Sequence, residues 1–368
     1  ARTMQYGGGV GYDFSTLRPK GALAQSPQQI ASGPVSFMHV WNTMCKTVLN
    51  TSARRGAMMA TLRCDHPDIF EFIHAKKKAK VLEHFNLSVL VTERFMQAVR
   101  EDKEWSLHFP TKDGEQQVFQ KVKAKELWDE IIESSYNTSE PGVLFIDRIN
   151  ELNNLSYKEN ISCTNPCGEI PLPPYGACDL GSINLAQFVE KPLSNEAYFD
   201  FEKLKKLIPI CVRLLDNVID VSEFPLSEQK EAALNSRRIG LGITGLADAL
   251  IMLNKHYGSE EARQIAQEII RVICHEAYRA SVQLAQEKGA FPSFDVEQYM
   301  KSSFVKSLPL EIQELIKKNG IRNSHLLAIA PTGTISLLAQ NVSSGVEPVF
   351  SMKYSRRILQ KEGKYMEY

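Results

Sequence analysis

Residues Ser162 to Asn184 read SCTNPCGEIPLPPYGACDLGSIN. Four prolines, three glycines and three cysteines in this stretch fit neither a helical period nor a simple strand alternation. Within it, Asn165, Cys167 and Glu169 alternate, and in an extended segment alternation points all three side chains to one face. Pro166 cannot donate to a ladder and holds the chain extended, while Gly168 admits a close backbone approach. A thiol between an amide and a carboxylate is a workable catalytic trio. Sulfur carries a radical or acts as a nucleophile, glutamate moves a proton, and asparagine holds a substrate hydroxyl. Cys178 follows in a loop stiff enough to return it near Cys167. Two other readings of the same residues stand beside this one. The stretch reads as a proline-rich surface loop with inert thiols, or as a zinc site on Cys163, Cys167 and Cys178. The zinc reading lacks a second closely spaced Cys or His pair.

A second irregular stretch, His325 to Leu338 (HLLAIAPTGTISLL), reads strand, tight turn, helix. Leu326–Ala330 is the expected buried strand and Ile335–Ala339 the start of the helix. Between them, Pro331-Thr332-Gly333-Thr334 offers hydroxyls and free N–H groups where an anion is stabilised, although a plain helix cap has the same composition. Gly7-Gly8-Gly9-Val10-Gly11 lacks both the G-x-G-x-x-G spacing and a preceding strand, so it is no dinucleotide fingerprint.

Around these stretches, strand and helix signals interleave. Strands are expected at Phe85–Val91 and Trp105–Phe109, which alternate, and at Gly142–Asp147, a continuous apolar run. Helices are expected over Val122–Tyr136, Leu241–Leu253 and Ser259–Lys288, the last capped by Ser259 and closed by Gly289. Cys64-Asp65-His66 reads as a helix start, and Arg237 to Gly242 as packing and helix entry. The pattern is an α/β class in one domain over 1–368.

Composition narrows the function. Lys plus Arg and Asp plus Glu are 43 each, a balance that argues against a nucleic-acid coat or a membrane-surface binder. No apolar run reaches the roughly 18 residues needed to span a bilayer. Seven cysteines, an odd number, suggest a reducing compartment and a cytoplasmic location. The chain starts at Ala1 and stops without a helix-ending signal, so it reads as an interior fragment of a longer protein.

The string NPCGEIPLPPYGACDLGSINL resembles the finger loop of ribonucleotide reductases, most closely the adenosylcobalamin-dependent class II. PTGTIS, GGGVGYDFSTLRPKG and TSARRGAM resemble other strings of that family in its own order. The resemblance implies a ten-stranded α/β barrel of two parallel five-stranded halves, with the finger loop threading its centre. It implies reduction of ribonucleotides to 2′-deoxyribonucleotides by a thiyl radical on Cys167. Asn165 and Glu169 then bind the sugar hydroxyls, with Glu169 as general base. Cys178 matches one thiol of a redox pair whose partner lies upstream of this sequence, with a further cysteine pair near the parent's C-terminus. Thr332, Gly333, Thr334, Ile335 and Ser336 match the substrate-phosphate loop, and Gly9 matches a glycine lying against the substrate. Arg54 and Arg55 fall in a loop linking effector to substrate; ordinary surface arginines are the alternative. The implied cofactor is adenosylcobalamin. Implied partners are a ribonucleoside di- or triphosphate, a nucleoside triphosphate effector, a thioredoxin- or glutaredoxin-like reductant and a second copy in a homodimer. Neither nucleic acid nor membrane is expected, and no protein-held metal. The alternatives are an iron-dependent class I large subunit, a regulator that binds nucleotides without catalysis, and a zinc-bearing structural module.

Overall fold

The most apolar strands of the chain lie side by side at the middle of a parallel sheet. In a computed structural model, residues 1–22, 30–48, 56–77, 80–111 and 114–349 are described, with 351, 353, 355, 357–359 and 365–367. Arg54 and Arg55 lie outside the described residues.

The chain divides into two compact units, residues 1–179, 213–240 and 278–326 in the first, and 180–212, 241–277 and 327–368 in the second. The first is built on the sheet β1 (Val10–Asp13), β2 (Met58–Arg63), β3 (Phe85–Val91) and β6 (Gly142–Phe145), in the order β1-β2-β3-β6. All three pairings are parallel. Parallel neighbours need crossovers, and helices Pro34–Val48, Ile69–Ile73, Glu93–Arg100 and Ala124–Thr138 lie in those connections. They cover the sheet, so β2 and β3 are buried almost throughout. Met38, Leu62, Phe85, Val89, Phe95 and Ile131 belong to the resulting core. The hairpin β4 (Glu104–Pro110) and β5 (Gln116–Lys123) projects from the last crossover with β5 almost wholly exposed.

A short antiparallel hairpin, β7 (Cys163–Thr164) and β8 (Pro171–Leu172), carries the cysteine loop. In the second unit, β9 (Asp179–Asn184) pairs with β12 (Ile239–Thr244), and β10 (Val189–Glu190) with β11 (Tyr198–Phe199). Gly242 in β12 is required by close approach: a Cβ there would lie 2.1 Å from the Ala328 carbonyl oxygen. The hairpin β13 (Arg357–Leu359) and β14 (Tyr365–Glu367) completes the strands.

The α/β class is therefore observed. Among the described residues, however, the strands form one four-stranded sheet and several pairs, and no single closed sheet of ten. Two expected elements differ. Leu241–Leu253 is not one helix but the end of β12, a left-handed turn at Gly245 (φ +72°) and a helix over Leu246–Met252. Leu326–Ala330 makes only a single parallel bridge, between Leu241 and Leu327. The long helix runs Glu260–Lys288 as expected, with Ser259 Oγ accepting from Ala262 N at 3.2 Å.

Candidate active site

The cysteine loop is a turn rather than an extended segment. Gly168 N donates to Asn165 O at 3.1 Å, closing a turn with Pro166 and Cys167 at its centre. Asn at the first position, Pro at the second and Gly at the fourth are what such a turn favours, and Gly168 takes φ +88°. Asn165 then ties the loop together. Its Oδ1 accepts from Ile170 N at 2.9 Å, its own N–H donates to Ile170 O at 3.2 Å, and its Nδ2 donates to Glu169 Oε2 at 2.7 Å. The turn thus brings the amide to the carboxylate and leaves Cys167 exposed at the tip.

The thiol's electrostatics restrict its chemistry. Partial burial and the Glu169 carboxylate both push Cys167 above the ordinary thiol range. Among the described residues no cation lowers it, so at neutral pH it keeps its proton. That disfavours a thiolate nucleophile and leaves an S–H bond available for hydrogen-atom transfer. Burial also pushes Cys178 up, with the Asp179 and Glu169 charges adding and Arg238 opposing. Glu169 thus bears electrostatically on both thiols. The Cys178 Sγ donates to Asp179 O at 3.4 Å. Cys163 is pushed up to about 11, mainly by burial. Among the described residues, no three or more His, Cys, Asp or Glu side chains converge as a metal site.

Gly9 lies against the loop itself. A Cβ on it would fall 2.6 Å from both Cγ and Cδ of Pro166, and one on Gly11 would fall 1.9 Å from Thr164 O. The glycine cluster is a seat for the cysteine loop, a role that its sequence does not announce.

In the second unit the PTGT turn opens a helix, Gly333–Leu338, with Thr332 as its N-cap at φ +53°. The side chains of the turn do not all face outward. Thr332 Oγ1 accepts from Gly345 N at 2.7 Å and meets the Thr244 hydroxyl at 3.0 Å. Ser336 Oγ donates to Gly333 O at 3.3 Å and meets Ser344 Oγ at 3.2 Å. Both residues are buried, whereas Gly333, Thr334 and Ile335 are exposed. Any anion held here meets backbone N–H groups of the first turn, with no Cβ obstruction at Gly333.

Polar residues beyond these motifs surround the cysteine loop and its continuation. Asn86 and Thr61 bind the loop backbone, and Arg238 is buried in an ion pair with Glu159. Asp179 is the most unusual of them. Among the described residues, both its carboxylate oxygens are buried without a partner of hydrogen-bond geometry. Burial pushes it up to about 7; its own backbone N–H and Arg237 oppose the shift, and the Asp216 charge adds to it. A carboxyl raised in the fold is stabilising when protonated, so its contribution is full below the ordinary value near 4 and is lost as pH rises towards 7. Asp179→Asn is therefore expected to stabilise the full-length protein at pH 8 by about 1–3 kcal/mol. At pH 4 it should change little. Thermal melts at the two pH values check this, and an equal effect at both removes the buried charge as the cause.

An exposed, protonated thiol on a pinned turn, seated against a parallel α/β sheet, is a class of site suited to hydrogen-atom transfer. The comparisons with known proteins sharpen that class. The model of the ribonucleotide reductase barrel domain matches residues 1–368, and the chain belongs to that family. It is 40% identical over 354 residues to a vitamin B12-dependent ribonucleoside-diphosphate reductase of Thermoplasma acidophilum, covering 96% of this chain and 43% of the relative. A protein of the same name from Mycobacterium tuberculosis is 41% identical over 360 residues, covering 98% and 48%. A ribonucleoside-diphosphate reductase large subunit of Vaccinia virus is 29% identical over 394 residues, covering 96% and 50%. The chain thus spans half or less of the length of these relatives. No helix among the described residues is long and apolar enough to cross a membrane.

Proposed function

We propose that the protein containing this chain reduces ribonucleotides to 2′-deoxyribonucleotides, with Cys167 as the thiol that becomes a radical and takes the 3′ hydrogen of the ribose. The observation that carries this is the pinned turn, where an exposed S–H lies beside a joined amide and carboxylate. Asn165 and Glu169 bind the sugar hydroxyls, and Glu169 accepts the proton. Cys178, paired with a thiol upstream of this sequence, gives up two electrons and ends as a disulfide. A thioredoxin- or glutaredoxin-like dithiol restores it. The N–H groups at Gly333, Thr334 and Ile335 hold the substrate phosphate, while Thr332 and Ser336 shape the turn from within. Gly9, which seats the loop, lies against the substrate. Arg54 and Arg55 serve effector binding, in a cytoplasmic homodimer whose full strand set closes the ten-stranded barrel.

The cofactor reading is adenosylcobalamin. The exposed Cys167, which retains its hydrogen, fits a radical generator presented from outside the loop. When bound, the cofactor supplies the radical by homolysis of its Co–C bond, and the protein supplies orientation and exclusion of water. Relatives named for vitamin B12 dependence share 40–41% identity with the chain against 29% for the viral large subunit, which favours this class over the iron-dependent one.

The test uses the full-length enzyme with a dithiol reductant and separate ribonucleoside di- and triphosphates. Deoxynucleotide formation is expected to require adenosylcobalamin. Turnover independent of it, or supported only by a separate radical-generating subunit, would overturn the cofactor reading.

A further inference from the structure

The tip of the cysteine loop is exposed, so something behind it has to fix where the thiol points. Three strands of the sheet do this. From β2, Thr61 Oγ1 donates to Ser162 O at 3.1 Å, ahead of the loop. From β1 and the residues before it, Gly11 and Gly9 leave room for Thr164 and for the Pro166 ring. From β3, Asn86 Nδ2 donates to Pro166 O at 2.7 Å. That oxygen belongs to the peptide joining Pro166 to Cys167, so the bond acts on the backbone immediately before the thiol.

Asn86 is also out of place as a strand residue. β3 reads FNLSVLV and is buried at every position except Asn86. Asparagine is disfavoured in strands, where it offers little to pack. Here its amide spans from the sheet to the loop, and Gly9 closes the other side of the same proline. A peptide held by a hydrogen bond on one side and by ring packing on the other has little freedom to rotate.

We propose that Asn86 is a positioning residue for Cys167, acting with the Gly9 seat to fix the Pro166–Cys167 peptide and hence the direction of the Cys167 Sγ. The inference rests on the radical reading of Cys167 given above. It says that the rate of hydrogen transfer, more than substrate affinity, depends on Asn86, because misplacing a reacting atom by about 1 Å costs on the order of a hundredfold.

The test uses the full-length enzyme. Asn86→Asp keeps the shape but replaces the N–H donor with an oxygen that repels the Pro166 carbonyl; Asn86→Ala removes the contact. Both are expected to lower kcat by about ten- to a hundredfold while the ribonucleotide KM stays near the wild-type value. Without cofactor or substrate, the rate at which iodoacetamide alkylates Cys167, followed by mass spectrometry, should shift while that of Cys163 does not. Gly9→Ala drives a methyl into the Pro166 ring and should reproduce the loss; adding Pro166→Ala, which removes Cγ and Cδ, should restore activity at least about tenfold. That pair decides the matter if the Asn86 variants fail to fold, and absence of rescue then overturns the proposal. A raised KM with unchanged kcat makes Asn86 a substrate contact and also overturns it. Should the wild-type enzyme form no deoxynucleotide, the functional reading fails, yet the alkylation rates still decide whether Asn86 positions Cys167.

Discussion

Cys167→Ser is expected to abolish deoxynucleotide formation by the full-length enzyme, a loss of about 10⁴-fold or more, as when a reacting atom is removed elsewhere. The substitution is nearly isosteric, and the loop does not depend on the thiol for its shape. The turn is closed through Asn165, Gly168 and Ile170 backbone groups, and the Asn165–Glu169 hydrogen bond involves neither Sγ nor the Cys167 backbone. Nucleotide affinity should therefore stay within about twofold, or roughly 0.4 kcal/mol. What changes is the bond that must break. A serine O–H is too strong to exchange hydrogen with a ribose C–H under these conditions, whereas a thiol that keeps its proton is suited to it. Partial burial and Glu169 raise the Cys167 pKa, so serine replaces a neutral S–H by a neutral O–H and alters no charge. Equilibrium nucleotide binding and single-turnover product formation separate the two effects. Product at the wild-type rate from the serine variant would remove Cys167 from the chemistry.

The residues of the candidate site are legible in the sequence because the chemistry demands particular side chains close together. Asn-Pro-Cys-Gly-Glu announces a thiol, an amide and a carboxylate by its letters alone. Their geometry is less legible. Alternation of Asn165, Cys167 and Glu169 suggests an extended segment, but the same letters place Asn, Pro and Gly where a tight turn wants them, and the turn prevails. Local turn chemistry outweighs a period of two read over only five residues.

Elsewhere, errors follow from burial. Gly142–Asp147 reads as a continuous buried strand, yet β6 ends at Phe145 and is only half-buried, because it borders β3 on one side and ends the four-stranded sheet. Leu241–Leu253 reads as helix because its first residues belong to a strand buried at every position, which shows no alternation. The Gly9 and Gly11 seat and the hydrogen bond from Asn86 are long-range contacts, between residues far apart in sequence, and no local pattern announces them. Arg237 and Arg238 read as packing and helix entry, yet the segment they lead into is the strand β12. Both are buried and ion-paired, because partners from distant segments reach them.

The first of those arginines leads to the largest expected effect on stability, which comes from its partner. Asp216 is fully buried in the first unit. Its Oδ1 accepts from Arg237 Nε at 2.9 Å and from Asn323 Nδ2 at 3.0 Å, and its Oδ2 accepts from Lys288 Nζ at 3.2 Å and Arg322 Nε at 3.3 Å. Asn323 Nδ2 also donates to Arg237 O at 3.1 Å, so one carboxylate ties together the segments entering β12 and preceding the PTGT turn. Burial alone pushes the carboxyl up, but the Arg237 hydrogen bond and charge, aided by Arg322 and Lys288, win and hold it below the usual range. Asp216→Ala strands buried Arg237 beside two further cations, with the Asp220 ion pair remaining among the described residues. Breaking a buried ion pair from one side costs about 3–5 kcal/mol. A carboxyl lowered in the fold contributes stability that is present above the ordinary carboxylate value near 4 and is lost as pH falls through the lower folded value. The penalty for Asp216→Ala should thus be full at pH 7 and shrink in acid, where the wild type loses the same contribution. Asp216→Asn keeps the volume and one acceptor oxygen, and should fall between the two. Urea unfolding at pH 7 and pH 3 measures all three proteins. An Asp216→Ala penalty under about 1 kcal/mol at pH 7, the range of exposed ion pairs, would show that the cluster is not coupled to folding.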